Sequence, residues 1–354
     1  MNKSIPDLHD FKSTAASRLV YAFHSGGHRG AYLRFCESRF DLTPVFGQPS
    51  LTVIRRLMWV ESLLFVTVSP RNAPWAVLIA LFRSILGKRT TAICMSGKWY
   101  YDTQRRGRSM LTLQLSRVLH KLGRFDLFCI IPYQLRPEIR KTTSDWIIDL
   151  FLWNLPGARG DDGEEKQKML DRVSAEAAGR KVLLYAGKAS QRKRFGQLAL
   201  QAGKLREKVL IVAAGSVSNE CREDARYLEG LGMVVFDRYV SDEEMIALFK
   251  LADYVWCCYD EKQLSSGIFG LAVQLRRKAV VRKDSYLDQL AQFLRHPVCY
   301  ELENELACEV KAKNKAGLAT EPNNASARQR RLFDLEQRSV KKLEASLRLT
   351  ANKH

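Results

Sequence analysis

No apolar run in this chain reaches the roughly 20 residues that a membrane-spanning helix needs. The longest, Ala73–Phe82, is stopped by Arg83. The opening stretch, Met1–Ser17, is polar and carries acidic residues where a secretory signal would carry its apolar core, so no signal peptide is expected. No CxxC occurs among the 8 cysteines, which removes zinc-ribbon and thioredoxin-like readings, and no metal site is expected. Cys94, Cys129, Cys257 and Cys258 lie inside apolar strand-like runs, where cysteine behaves as a small buried hydrophobe, and a reducing, cytoplasmic compartment is expected. Carboxylates are scarce: 38 Asp and Glu face 57 Lys and Arg, a formal net charge of +19. A hydrophobic content of 46% with 27% charged residues excludes a disordered or fibrous chain.

What is present fits two domains, since 354 residues exceed one ordinary core. In the second half, short apolar runs begin at Val182, Val209, Met233, Tyr254 and Ala279, with helix-like segments between most of them. Uninterrupted apolar strands alternating with amphipathic helices indicate βαβ units and a parallel sheet covered on both faces. Ser241 and Glu244 form a capping-box pattern that starts one helix. The first half offers strands at Leu19–Phe23, Leu63–Val68, Thr90–Met95, Phe125–Ile131 and Ile147–Leu152. Its helical segments are Ala31–Glu37, Ser50–Val60, Pro74–Leu86 and Met110–Leu122. The stretch Pro156–Arg180 turns polar and Gly-containing, as a linker would. The expected domains are therefore 1–157 and 181–300, joined by a linker over 158–180 and followed by a polar, helical C-terminal segment over 301–354. The cation excess lies mainly in the first: residues 1–157 hold 22 Lys and Arg against 10 Asp and Glu. Such a field favours an anionic partner, whether nucleic acid, a phosphorylated substrate or an anionic membrane face.

In open parallel sheets, ligands bind beyond the carboxyl ends of the strands. Three such loops carry candidate chemistry. After the first strand comes His24-Ser25-Gly26-Gly27-His28-Arg29-Gly30, whose glycines let backbone amides approach a ligand, although the pattern is not GxGxxG. After the strand at Val182 comes Gly187-Lys188, then Arg192-Lys193-Arg194: cations dense enough to meet a diphosphate. After the strand at Tyr254 comes Ser265-Ser266-Gly267, hydroxyls and free amides at a helix start.

On these residues the second half resembles the donor-nucleotide domain of GT-B-fold, nucleotide-sugar-dependent glycosyltransferases. Gly187, Lys188 and Lys193 in LLYAGKASQRKRFGQLALQA match that family's first block. LIVAAG, VVFDRYVSDEEMIALFKLADYVW and SSGIFGLAVQLRRKAVV match the blocks that follow. The resemblance covers about residues 181–290 and extends to the first half only by architecture. It departs at the two glutamates that many retaining members carry, whose places are taken by Leu264 and Ala272, and at a usual proline, replaced by Ala279. The Ser-Ser-Gly loop matches a subgroup lacking those acids, and the stereochemical course stays open.

The resemblance implies an α/β protein of GT-B fold: two Rossmann-like parallel-sheet domains facing an interdomain cleft, the first binding acceptor. It implies no cofactor and no metal, with a nucleotide-diphosphate sugar as donor. Gly187, Lys188, Lys193, Ser265, Ser266 and Gly267 would bind the diphosphate, and Arg238, Tyr239 and Val240 would lie beside the nucleobase. Gly26, Gly27 and Gly30 would form the acceptor-side loop, and His28 and Asp102 are the candidates for a catalytic base. The expected acceptor is lipid-linked or a glycan, at the cytoplasmic face of the membrane. A peripheral contact there is expected from Arg55-Arg56 and Met58-Trp59; Trp75 is a weaker candidate, because Pro74–Leu86 reads as an ordinary buried crossover helix. A nucleotide-sugar epimerase on the same fold and a basic nucleic-acid-binding protein are the alternatives. The second lacks any recognisable motif, so no nucleic-acid partner is expected.

Overall fold

The computed structural model describes residues 17–23, 28–69, 71–95, 108–152, 163–260, 266–306 and 323–348. The chain divides into two compact units. Unit 1 is Met1–Ile147 with Arg338–His354, and unit 2 is Ile148–Gln337.

Unit 1 holds a six-stranded sheet of order β2-β1-β3-β4-β5-β6. Its strands are β1 (Arg18–Ala22), β2 (Thr43–Phe46), β3 (Ser62–Val68), β4 (Thr90–Cys94), β5 (Phe125–Cys129) and β6 (Asp145–Trp146), and every pairing is parallel. β1, β3, β4 and β5 are mostly apolar and buried along almost their whole length, as a sheet covered on both faces requires. The helices are α1 (His28–Phe40), α2 (Leu51–Trp59), α3 (Ala73–Ile85) and α4 (Arg108–Lys121). Val53, Leu57, Ala76, Val77, Ala80 and Leu119 of α2, α3 and α4 share one core with Leu63, Phe65 and Ala92 of the sheet. The expected strand Ile147–Leu152 is not one. Leu150–Leu152 forms a 3-10 turn whose apolar side chains are buried, and the last strand is the two-residue β6 just before it. The crossover helix expected over Pro74–Leu86 is buried on its sheet side only, since Trp75, Phe82 and Ile85 remain exposed.

The layer is held by Arg83, which is fully buried on α3. Its guanidinium donates to the carbonyls of Leu57 (2.6 Å), Val60 (2.9 Å), Glu61 (3.2 Å) and Arg89 (2.9 Å), and to Thr90 Oγ1 (3.0 Å). Burial lowers its pKa to about 10, so the side chain is still a cation at neutral pH, its charge met by carbonyl dipoles.

Unit 2 holds β7 (Lys181–Ala186), β8 (Val209–Ala214), β9 (Val234–Phe236), β10 (Tyr254–Trp256), β11 (Lys278–Val280) and β12 (Val298–Cys299), in the order β12-β11-β10-β7-β8-β9. Reversed, this is the doubly wound 3-2-1-4-5-6 arrangement, with its switch point between β7 and β10. Between and around the strands lie α5 (Glu164–Ala177), α6 (Phe195–Leu205), α7 (Arg222–Gly230), α8 (Asp242–Leu251), α9 (Gly267–Gln274) and α10 (Tyr286–Leu294). The capping box at α8 is complete: Ser241 Oγ accepts from Glu244 N at 3.1 Å, and Glu244 Oε2 accepts from Ser241 N at 2.8 Å.

The segment expected as a linker over 158–180 contains α5, whose Met169 and Val173, four residues apart, are buried. The unit boundary falls earlier, at 147/148. The C-terminal helix α11 (Asn323–Leu347) is divided between the units, residues from Arg338 onward belonging to unit 1. There Ser346 Oγ meets Thr91 Oγ1 at 2.7 Å and donates to Asp126 at 2.5 Å, while Lys342 pairs with Asp145 at 2.8 Å. Seven cysteines, Cys94, Cys129, Cys257 and Cys258 among them, are buried free thiols. Among the described residues no helix is long and apolar enough to cross a membrane.

Candidate functional site

The carboxyl ends of β7 and β10 flank the switch point of unit 2, and four of the expected phosphate residues meet there. β7 leads into Gly187, whose φ of +80° is one that L side chains rarely adopt. Gly187 N donates to Ala214 O at 2.7 Å, and this pairing presses Gly187 against Gly215. A Cβ on Gly215 would lie 2.5 Å from the Gly187 carbonyl carbon, and one on Gly187 would lie 2.9 Å from Lys193 Nζ. The glycines are thus required by close packing of two strand-end turns and by the ammonium above them.

Lys193 ends the 3-10 turn Gln191–Lys193, and Arg194, in the left-handed region at φ 55°, turns the chain into α6. That kink directs Lys193 back under the loop, where Nζ donates to Ala186 O at 3.0 Å. It lies 5.8 Å from the Tyr185 ring centroid and 5.9 Å from that of Tyr259. Loss of water lowers the Lys193 pKa to about 8, with Arg192 adding to the effect. An ammonium has three donors, and Ala186 O is the one hydrogen-bond acceptor it meets among the described residues.

The turn is fixed from β10. Trp256 Nε1 donates to Lys193 O at 3.1 Å, and Asp260 N donates to Arg192 O at 3.1 Å. Tyr259 carries the connection to α9: Ser266 Oγ donates to its hydroxyl at 3.2 Å and accepts from Phe269 N at 3.2 Å as the helix cap. Gly187, Lys193, Ser266 and the buried start of α9 at Gly267 are therefore joined through Tyr185 and Tyr259. The motifs assign no role to either tyrosine or to Trp256. Their signal was position: all three lie on strands or strand ends directly before the loops. Lys188 is exposed, and its carbonyl accepts from the Tyr185 hydroxyl at 3.4 Å.

Arg238, Tyr239 and Val240 follow β9. The Arg238 guanidinium forms a two-point pair with Glu244, at 3.0 and 2.6 Å, which holds that carboxyl below its usual pKa. Arg238 thus anchors the start of α8, while Tyr239 is 81% exposed and Val240 is buried. Ser265, Gly26, Gly27 and Asp102 lie outside the described residues.

In unit 1 the switch point lies between β1 and β3. His28 is the first residue of α1, and Gly30 is buried in that helix's first turn. Beside it, β3 carries a register irregularity between Phe65 and Val68, and Thr67 adopts φ 59°. A β-branched residue there is strained. Its buried Oγ1 finds no hydrogen-bond partner among the described residues. The described residues contain no group of three or more His, Cys, Asp or Glu disposed to hold a metal ion.

No protein-family model matches the chain, and no curated protein matches it in sequence. Solved structures do match in fold. Anabaena HepE in complex with UDP superposes with a TM-score of 0.59 at 12% identity, over 93% of this chain and 100% of that one. Its complex with UDP-glucose gives 0.59 at 11% identity, over 93% and 99%. A Listeria monocytogenes protein described as a UDP-N-acetylglucosamine 2-epimerase gives 0.51 at 12% identity, over 91% and 96%. With two parallel six-stranded sheets and interleaved helices, the chain has the GT-B fold.

Proposed function

We propose that the protein is a glycosyltransferase that moves a sugar from a nucleotide-diphosphate sugar to a lipid-linked or glycan acceptor presented at the cytoplasmic face of a membrane. The observation that carries this reading is Lys193, a partly desolvated cation with a single hydrogen-bond acceptor among the described residues, held at the switch point beside Gly187 and the start of α9. A diphosphate seated there would replace lost water around the ammonium, and that interaction grows as charge builds on the departing diphosphate during transfer. Exposed Lys188 adds longer-range attraction, and Ser265, Ser266 and the Gly267 amide offer donors to phosphate oxygens. The GT-B fold, shared with structures solved with UDP and UDP-glucose, supports the donor class. His28 and Asp102 are proposed as alternative bases for the acceptor hydroxyl, and the mechanism calls for no metal or added cofactor. The cation excess of residues 1–157 supports an acceptor carrying or adjoining negative charge.

The test is a thermal-shift series with free UDP, GDP and ADP on the wild type and Lys193→Ala. One of them raises the wild-type melting temperature and leaves the variant unmoved. If none shifts the wild type, the reading fails. Incubation with the matching nucleotide sugar and no acceptor then gives at most slow hydrolysis; inversion at a sugar carbon would make the protein an epimerase instead.

A further inference from the structure

The outward side of unit 1's three-helix layer is apolar where a helix facing water is ordinarily polar. Having buried one side against the sheet, α3 exposes Trp75, Leu78 and Phe82 on the other, and α4 exposes Leu111 and Val118. The carboxyl ends of the three helices are tied together. Lys88 Nζ donates to Trp59 O and lies 5.5 Å from the Trp59 ring, and Arg124 Nη1 donates to Gly87 O at 2.6 Å. This groups the exposed tips Trp59 (65%), Ile85 (74%) and Leu122 (63%) at the edge where the strands begin, away from the carboxyl-end loops. Unlike scattered surface leucines, such a contiguous patch marks an interaction site.

The three helices carry charge of one sign. α2, α3 and α4 contain no Asp or Glu, while Arg55, Arg56 and Lys121 lie on them and Lys88 and Arg124 on the turns that follow. Two hollows flank Trp59, one of about 530 Å³ beside Arg55 and Arg56 and one of about 290 Å³ beside Lys88 and Arg89. Among the described residues, Glu61 is the one carboxylate that lines them.

We propose that this face docks on an anionic phospholipid bilayer. The aliphatic and aromatic tips enter the boundary between headgroups and acyl chains, where tryptophan is favoured, and the surrounding cations meet lipid phosphates. A second copy of the chain fits poorly, because a two-fold contact would set one cationic rim against an identical one. Single-stranded nucleic acid fits less well, since five of the eight exposed apolar side chains named above are aliphatic and offer no platform for base stacking. The proposal rests on the transferase reading only for its purpose, which is to bring the acceptor-binding unit to a membrane-held acceptor.

The experiment is co-sedimentation of the full chain, without nucleotide sugar, with phosphatidylcholine vesicles and with vesicles containing phosphatidylglycerol. At low salt the wild type pellets with the anionic vesicles, at least tenfold more than with the neutral ones. Ile85→Glu and Leu122→Glu, both at exposed positions, each lower that partition about tenfold without changing the melting temperature. Arg55→Glu lowers it several-fold, and added salt weakens the wild type in parallel. The proposal is overturned if the wild type ignores anionic vesicles, or if Ile85→Glu binds as the wild type does, leaving charge adsorption alone. It is also overturned if Ile85→Glu dissolves a dimer while vesicles have no effect, or if the chain binds nucleic acid in their place. Vesicle binding with no nucleotide response would defeat the transferase reading and leave this surface standing; the reverse pattern would do the opposite.

Discussion

Unit 1 buries Arg83 and unit 2 half-buries Lys193, and the two cations are held in opposite ways. Arg83 in unit 1 is fully buried, with its donors spread over four backbone carbonyls and Thr90 at good distances. Lys193 in unit 2 is half-buried, bonded to Ala186 O and resting between two tyrosine rings. A cation whose donors are used up holds elements together; one with donors to spare can still take an anion. The outer helices differ as well. α2, α3 and α4 carry no carboxylate, whereas α5, α7 and α8 each have acidic residues in the first turn, where the helix dipole favours them. One architecture thus presents a cationic, apolar surface in one unit and a mixed-charge surface in the other.

The contrast is broken most severely at Arg83. Arg83→Met leaves several buried carbonyls without donors and is expected to cost about 3–5 kcal/mol, read from denaturant unfolding. Because the damage lies in unit 1, nucleotide binding by unit 2 should survive wherever the protein is still folded.

Acid should separate the units next. His296 is buried in unit 2, with Nε2 donating to Arg277 O at 3.0 Å and Nδ1 accepting from Arg328 at 3.3 Å. Burial, reinforced by Arg328, lowers its pKa from 6.5 to about 4. The unfolded chain therefore binds the proton first, so the stabilisation is complete above pH 6.5 and is lost as pH falls toward 4. The loss amounts to about 3 kcal/mol. Melting followed from pH 7 to 4 should show this slope, and His296→Gln should flatten it.

Lys193→Ala should weaken nucleoside diphosphate binding about 10- to 100-fold by calorimetry, with little change in stability, since a charged hydrogen bond contributes about 1.5–3 kcal/mol. In the wild type, affinity should fall as pH rises through about 8, where the ammonium loses its proton, and binding near that pH should take up a proton. An affinity independent of pH from 7 to 9 would place the diphosphate elsewhere.

The smallest effect is expected from Gly187 and Thr67, two of the positive-φ positions at strand ends. Gly187→Ala strains the backbone and crowds Lys193, at about 1–3 kcal/mol. Thr67→Gly should stay within about 1 kcal/mol of the wild type, because relief of strain offsets the lost side-chain contacts. A large loss at Thr67 would mean that its side chain has a partner beyond the described residues.

Most of the long strands and their helices were legible because a strand buried on both faces must be an apolar run. β2, with Pro44 in its middle, and the two-residue β6 and β12 were not, being too short for any period to show. Ile147–Leu152 misled for the same reason that the others succeeded. It is apolar and buried, yet it folds as a turn whose Phe151 carbonyl accepts from Gln274 of α9. In the site, Gly187, Lys193 and Ser266 could be marked from motif and spacing. Tyr185, Tyr259 and Trp256, which join them, could not, because buried aromatics at strand ends look like core.

Local sequence by itself determined where the apolar strands run, which residues cap helices, and that cations outnumber carboxylates in the first half. Each of these follows from neighbours along the chain. Tertiary structure alone decided that Lys193 turns inward, that Arg83 saturates carbonyls from separate elements, and that α3 leaves Trp75, Leu78 and Phe82 exposed. Those outcomes depend on which segments the sheet order sets side by side, and burial is a property of the packed neighbours, not of the residue.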